Sequence, residues 1–216
     1  MIRIVLVDDH AVVRNGYRRL LGAEPDMLVV GEAARADEAN DVMLHTRPDV
    51  ALVDLSLRGS SGFEAIRGML ARRPELHILV LSMHEEAGHI TQALRCGARG
   101  YLSKHCEPLD VIDGIRKVAT GKRVFSPEIA QILACESAAG EGALAQLTPR
   151  EFDVLRMLVR GDSSQAIAGA MQLSPKTILN YLSLIRHKLG VDNDFKLLHL
   201  AARHGLVSLH LRNDAA

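Results

Sequence analysis

The chain has 216 residues, 48% of them hydrophobic and 24% charged, with no tryptophan and a formal net charge of zero. This is the composition of a globular protein, and the length suits one ordinary domain followed by a smaller one. No apolar run approaches the ~18 residues of a membrane span, and Met1, Ile2 and Arg3 enter an alternating segment without a signal-peptide layout, so the chain is expected in the cytoplasm, away from membranes.

Strand-like and helix-like segments alternate through the first half. Strands are predicted over Ile2–Asp8, Met27–Ala33, Val50–Asp54, His77–Ser82 and Gly100–Ser103. Between and after them fall helices over Ala11–Ala23, Arg35–Thr46, Gly62–Arg73, Ala87–Cys96 and Leu109–Thr120. Five such repeats predict a parallel sheet wrapped by helices. The alternation stops near Gly121; a short helix is expected over Pro127–Cys135, and the small, polar 136–146 stretch reads as a linker.

From Leu147 every periodic segment is helical. Thr148-Pro149-Arg150-Glu151 has the form of a capping box with proline at the first helical position, opening a helix that ends at Gly161. A short helix about Ser164–Met171 carries Ala166, Ala168, Gly169 and Ala170, small enough for a close crossing. The next starts at Pro175 behind the cap Ser174 and stops at Gly190, with Ile178, Leu182, Ile185 and Leu189 in one stripe. Two helices joined by a tight turn, the second with a polar outer face, match a helix-turn-helix, and a fourth helix follows over Asp194–His204.

Charge is divided unevenly. Residues 1–146 carry 17 Lys and Arg against 20 Asp and Glu, whereas residues 147–216 carry 9 against 6, so the tail end is mildly basic. Cys96, Cys106 and Cys135 are odd in number and lack metal-ligand spacing, as do the ten histidines, so reduced thiols and no zinc site are expected.

Asp8 and Asp9 follow the first predicted strand, Asp54 the third, Ser82 the fourth and Lys104 the fifth. In a parallel sheet these strand ends share one edge, where ligands bind. Three carboxylates gathered there would drive one to keep its proton unless a cation neutralises them, and a hard divalent ion with oxygen ligands, Mg²⁺, answers that need.

"VDDH", "ALVDLSL", "LSMHEE" and "GYLSKH", in this order and spacing, with "LTPRE" and "LSPKTILNYLSLIRHKLG" behind them, resemble the two-component response regulators of the NarL/FixJ group. The resemblance covers almost the whole chain apart from 136–146 and the last few residues. It implies a flavodoxin-like (CheY-like) five-stranded parallel receiver over 1–121 and a linker with a short helix over 122–146. A small all-α LuxR-type helix-turn-helix DNA-binding domain would occupy 147–212.

Carried across residue by residue, the resemblance makes Asp54 the phosphoacceptor for a sensor histidine kinase. Asp9, Asp54 and the backbone carbonyl of Ser56 would bind Mg²⁺, with Asp8 acting through water. Lys104 would pair with a phosphoryl oxygen, the Ser82 hydroxyl would donate to another, and Tyr101 would turn inward as the switch. Ser56 and His84 would tune the phosphoaspartate lifetime. The chain would catalyse only its own phosphoryl transfer and dephosphorylation, and would bind promoter DNA as a homodimer once activated.

In the helix starting at Pro175, the face opposite the apolar stripe presents Lys176, Leu179, Asn180, Ser183, Arg186 and His187. Asn180 suits adenine, Leu179 a thymine methyl, and Lys176 and Arg186 phosphates; Thr177 would donate to a phosphate as in the family. Leu197, Leu200, Ala201 and His204 resemble the closing helix that commonly supplies the effector dimer contact.

Several positions depart from the pattern. Arg58 and His105 stand where prolines are frequent, Leu179 and Tyr181 where lysine and histidine are common, and "SSQAIAGAM" lacks the usual lysine and glutamate. Fewer cations predict a shallow salt dependence and a greater need for dimerisation. Two other readings are an Mg²⁺-dependent phosphotransferase or phosphatase, which calls for a second acid where Ser56 stands, and a phospho-regulated interaction switch with little DNA binding.

Overall fold

A computed structural model describes residues 1–57, 61–139, 143–204 and 206. The chain divides into two compact units, one of Met1–Glu85 and His89–Ala138 and the other of Glu86–Gly88 and the residues from Ala139 onward.

The N-terminal unit is a parallel sheet with strands β1 (Ile2–Val7), β2 (Met27–Ala33), β3 (Val50–Val53), β4 (His77–Ser82), β5 (Gly100–Ser103) and β6 (Val124–Phe125), in the order β2-β1-β3-β4-β5-β6. The connecting helices are α1 (Ala11–Gly22), α2 (Ala36–His45), α3 (Gly62–Arg72), α4 (Ala87–Arg95) and α5 (Pro108–Ala119). Order reverses at β1, which lies between β2 and β3, and this is the topological switch point where ligands bind in such sheets.

Every residue of β3 and all of β4 beyond His77 are buried, as expected for strands covered on both faces. Alternation along the strands sends Ile4, Leu6, Leu52, Leu79, Leu81 and Leu102 into one cluster with Val111, Ile112, Ile115 and Val118 of α5. Each such side chain contributes about 1.5–3 kcal/mol when fully buried. That packing fixes where the strand ends stand.

The sheet has six strands rather than the five expected. Val124 and Phe125 pair in parallel with Gly100 and Tyr101, and two residues are too few to show a period of two. The presumed linker is also more ordered in part: α6 runs over Pro127–Ala139, and a 3₁₀ turn covers Ala143–Gln146. Arg58 and the far end of the 147–212 segment lie outside the described residues.

The C-terminal unit contains α7 (Pro149–Val159), α8 (Ser164–Met171), α9 (Pro175–Leu189) and α10 (Asp194–Arg203). Both bonds of the capping box form: Thr148 N–H donates to Glu151 Oε2 at 2.7 Å and Glu151 N–H to Thr148 Oγ1 at 3.3 Å. Ser174 caps α9 by accepting from Thr177 N–H at 3.1 Å. Gly190 ends α9 at φ 65°, a left-handed position that favours glycine.

Phe152, Leu155, Ile167, Ile178, Leu182, Ile185 and Leu197 are buried in this unit. Of the four small residues of α8, only Ala168 is buried, while Ala166, Gly169 and Ala170 face outward. A 3.6-residue period cannot turn 166, 168, 169 and 170 to one side, so the close crossing rests on Ala168 with Ile167. Among the described residues no helix is long and apolar enough to cross a membrane.

Candidate functional site

The carboxyl ends of β1, β3, β4 and β5 bring Asp8, Asp54, Ser82 and Lys104 to one edge of the sheet. Backbone bonds hold them there: Asp54 N–H donates to Val7 O at 2.8 Å and Lys104 N–H to Ser82 O at 2.9 Å. Lys104 Nζ stands 2.7 Å from Asp8 Oδ2 and 2.7 Å from Asp54 Oδ2, bridging residues 96 and 50 positions away. The Asp54 side chain is 3% exposed and that of Lys104 13%, so little water screens the contact.

Burial pushes the Asp54 carboxyl above the usual carboxylate range, while the hydrogen bond and charge of Lys104 pull against that rise. Burial works to lower Lys104, yet its bonds to Asp54 and Asp8 outweigh it and hold the ammonium above its ordinary value. Asp54 thus sits beside a fixed positive charge.

Around it the loops are closely tied. Ser56 N–H donates to Asp54 Oδ1 at 3.2 Å, and Ser56 Oγ lies 2.9 Å from His84 Nε2. His84 N–H donates to Ser82 Oγ at 3.2 Å, and the buried Tyr101 donates its hydroxyl to the His84 carbonyl. His84 therefore touches Ser56, Ser82 and Tyr101 at once. Its ring stacks on His89 at 4.3 Å with an interplanar angle of 5°, an arrangement in which the two rings cannot aim in-plane lone pairs at one ion.

Gly62 opens α3 directly under this loop. A Cβ there would stand 2.3 Å from Asp54 O and 2.5 Å from Leu55 Cα, so glycine permits the approach of the helix to Asp54.

Asp8, Asp9, His10 and Asp54 each offer a ligand atom within 4.8 Å of the others. His10 is an addition to the residues anticipated, and its Nδ1 lies 2.8 Å from Asp9 Oδ1. Adjacency in "DDH" was the available signal. The carboxylates form a hard-oxygen set that fits a divalent cation such as Mg²⁺.

On α9 the structure separates two faces. Ile178, Leu182, Ile185 and Leu189 are buried, whereas Lys176, Leu179, Asn180, Ser183 and His187 are exposed. Two proposed phosphate contacts already have protein partners. Arg186 Nη1 is 2.7 Å from Asp194 Oδ1, and Thr177 Oγ1 is 2.8 Å from Ser174 Oγ. Leu184 and Phe195 are exposed large apolar side chains nearby. Lys188, also on α9, instead turns inward to Glu151, at 2.9 and 2.7 Å from its two carboxylate oxygens.

Comparison with known proteins agrees with both halves. Residues 4–116 match the response regulator receiver domain and residues 145–201 the bacterial regulatory proteins of the luxR family. The chain is 38% identical over 210 residues to the transcriptional activator protein ExaE of Pseudomonas putida, covering 95% of this chain and 98% of that protein. It is 37% identical over 209 residues to the response regulator UvrY of Escherichia coli K12, covering 95% and 96% respectively. Its fold is similar to RcsB from Salmonella enterica serovar Typhimurium bound to a promoter in the presence of the phosphomimetic BeF₃⁻, with 27% identity, a TM-score of 0.72 and coverage of 94% and 98%. The chain belongs to the two-component response regulators of the NarL/FixJ type, a receiver domain followed by a LuxR-type helix-turn-helix, and is a DNA-binding transcription regulator.

Proposed function

We propose that Asp54 accepts a phosphoryl group from a sensor histidine kinase and that this event controls dimerisation and promoter binding. The observation that carries the reading is the Lys104 ammonium held 2.7 Å from carboxylate oxygens of both Asp8 and Asp54. A buried acid beside a fixed cation is suited to accept an anionic group and retain it.

In the transfer an Asp54 carboxylate oxygen bonds to phosphorus as the phosphorus–nitrogen bond of the donor phosphohistidine breaks, its electron pair staying on the imidazole. Lys104 follows one phosphoryl oxygen. The Ser82 hydroxyl, which now accepts from His84 N–H, donates to another. Asp9, Asp54 and the Ser56 carbonyl, with Asp8 through water, would hold Mg²⁺, and their oxygen donors fit that ion. When bound, the ion supplies positive charge against the phosphoryl oxygens.

Movement of Ser82 reaches Tyr101 through their shared neighbour His84. Phosphorylation then favours one arrangement of the β4–α4 loop and the β5 strand over another, a shift between two pre-existing states. Ser56 and His84, 2.9 Å apart at the approach to Asp54, govern phosphoaspartate lifetime by positioning or excluding a hydrolytic water. On DNA, Asn180, Leu179 and Ser183 read base edges while Lys176 contacts phosphate, with Thr177 and Arg186 available once released from their partners. The similarity to RcsB, whose structure is of a promoter complex, supports DNA binding by this chain.

Sedimentation and retention of genomic DNA fragments, with and without beryllofluoride and Mg²⁺, test the proposal in wild type and Asp54→Asn. Activated wild type is expected to dimerise and retain selected fragments, and Asp54→Asn to do neither. An intact response in the variant would move the acceptor elsewhere.

A further inference from the structure

Asp8 and Asp9 are carried by the short loop between β1 and α1, and the helix they lead into does little to fix them. His10, the residue before α1, makes no side-chain cap, and the first turn of the helix holds no acid. His10 N–H donates to Asp8 Oδ1 at 2.7 Å, a local turn that engages one carboxylate oxygen without tying the loop to the sheet. The anchoring comes from β2. Asp8 N–H donates to Ala33 O at 3.1 Å, and the carbonyl of Asp8, a residue only 7% exposed, accepts from Arg14 Nη1. Arg14 Nε in turn lies 3.5 Å from Glu32 Oε2, and Glu32 stands beside Ala33 on β2, in register with Leu6. Both backbone polar groups of Asp8 are thus tied to neighbouring residues of one strand, the N–H directly and the carbonyl through Arg14.

The peptide bond is planar, so holding the Asp8 carbonyl also orients the N–H and Cα of Asp9. Asp9 can then present its carboxylate to the group in which Asp8, Asp9, His10 and Asp54 converge within 4.8 Å. Glu32 has a second effect. It is shared by Arg14 and by Arg18, whose Nε is 3.5 Å from Glu32 Oε1, and it offsets guanidinium charge that would otherwise weigh against a cation at the carboxylates.

We propose that Arg14 is a positioning residue for Mg²⁺: through the Asp8 carbonyl it sets the Asp8–Asp9 peptide, and Glu32 holds its guanidinium in place. The inference rests on the assignment of Mg²⁺ to Asp8, Asp9 and Asp54 made above. Arginine suits the task better than lysine, because its planar fork meets the carbonyl and the carboxylate through different nitrogens in one fixed geometry. The Arg14 side chain is 18% exposed and that of Arg18 56%, so of the two partners of Glu32 only Arg14 is enclosed by the loop it serves.

The test titrates Mg²⁺ calorimetrically into the full-length protein and follows acetyl phosphate labelling of Asp54 across Mg²⁺ concentrations. Arg14→Ala is expected to weaken Mg²⁺ about tenfold, the lower end of what loss of a group orienting a metal ligand causes, with labelling restored at saturating Mg²⁺. Arg14→Lys and Glu32→Gln should each weaken it about threefold, and Arg18→Ala should bind as wild type does. Wild-type Mg²⁺ affinity in Arg14→Ala, whatever its melting temperature, would make the contact structural only and overturn the proposal. Normal affinity with labelling that stays slow at saturating Mg²⁺ would place Arg14 in the transfer step and overturn it equally. Should Arg14→Ala not fold, Arg14→Lys and Glu32→Gln decide by the same criteria. Asp9→Asn separates this proposal from the reading beneath it. Wild-type Mg²⁺ affinity in Asp9→Asn would remove the metal assignment itself, whereas loss there beside unchanged affinity in Arg14→Ala would remove only the role of Arg14.

Discussion

Glu151 joins the start of α7 to α9, and its removal should be felt in the stability of the whole C-terminal unit. Its side chain is 5% exposed, and its Oε2 accepts from Thr148 N–H at 2.7 Å, completing the cap. Both carboxylate oxygens also take Lys188 Nζ, whose side chain is 32% exposed. Loss of a helix cap costs about 1 kcal/mol. The charge-assisted bond adds about 1–2 kcal/mol after allowance for the partly solvated lysine. Glu151→Ala should therefore cost about 2–3 kcal/mol, an unfolding shift of roughly 10–20 °C for a domain of this size. Glu151→Gln keeps an acceptor for Thr148 and should cost about 1 kcal/mol.

The pH dependence gives the same argument a sign. Burial acts to raise the Glu151 carboxyl, but Lys188 and the Thr148 bonds prevail and hold it below its ordinary value of 4.5. The unfolded chain then binds the proton more readily, so the stabilisation is complete above about pH 4.5 and is lost as pH falls through the lower folded value. Hydrogen exchange of peptides from residues 149–203, followed with temperature at several pH values, measures both quantities. Equal unfolding temperatures for wild type and Glu151→Ala, or an unchanged acid slope in the variant, would refute the reasoning.

Other substitutions probe separate parts of the molecule. Asp194→Ala should release Arg186 from its 2.7 Å pairing, raising DNA affinity a few-fold and steepening the log–log salt dependence by about one, as read by fluorescence anisotropy across a salt series; an unchanged slope would mean that Arg186 does not reach phosphate. Gly62→Ala places a methyl 2.3 Å from Asp54 O, and should cost about 1–3 kcal/mol in urea unfolding and slow acetyl phosphate labelling of Asp54; normal labelling would show that the loop is indifferent to α3. Gln172 ends α8 at φ 54°, so Gln172→Gly should stabilise by up to about 1 kcal/mol, checked by thermal melting, with destabilisation as the contrary result.

The convergence of Asp8, Asp54, Ser82 and Lys104 was legible because a parallel sheet sends every carboxyl strand end to one edge, which turns "DDH", "VDL", "LSM" and "LSK" into neighbours without knowledge of any side-chain contact. The helix caps were legible for a similar reason, since Thr148 and Glu151 meet within one turn. What escaped is non-local or too short. Val124–Phe125 offers two residues, too few to show a period, and the Ala and Glu of 136–139 look like a linker although both favour helix. The pairs Arg186–Asp194 and Glu151–Lys188 join different helices, so neither periodicity nor spacing within one helix could reveal that two cations of α9 are already engaged. Nothing at Gln172 advertises a left-handed turn.

The cluster around Asp54 also has a history written into its topology. Asp8 leaves β1, Asp54 leaves β3 and Lys104 leaves β5, and each contact among them depends on strand pairings that join distant parts of the chain. No shorter N-terminal piece contains both the acid and its ammonium in register. During synthesis the contacts from Lys104 to Asp8 and Asp54 therefore cannot form until β5 has emerged and docked, long after both acids have been made.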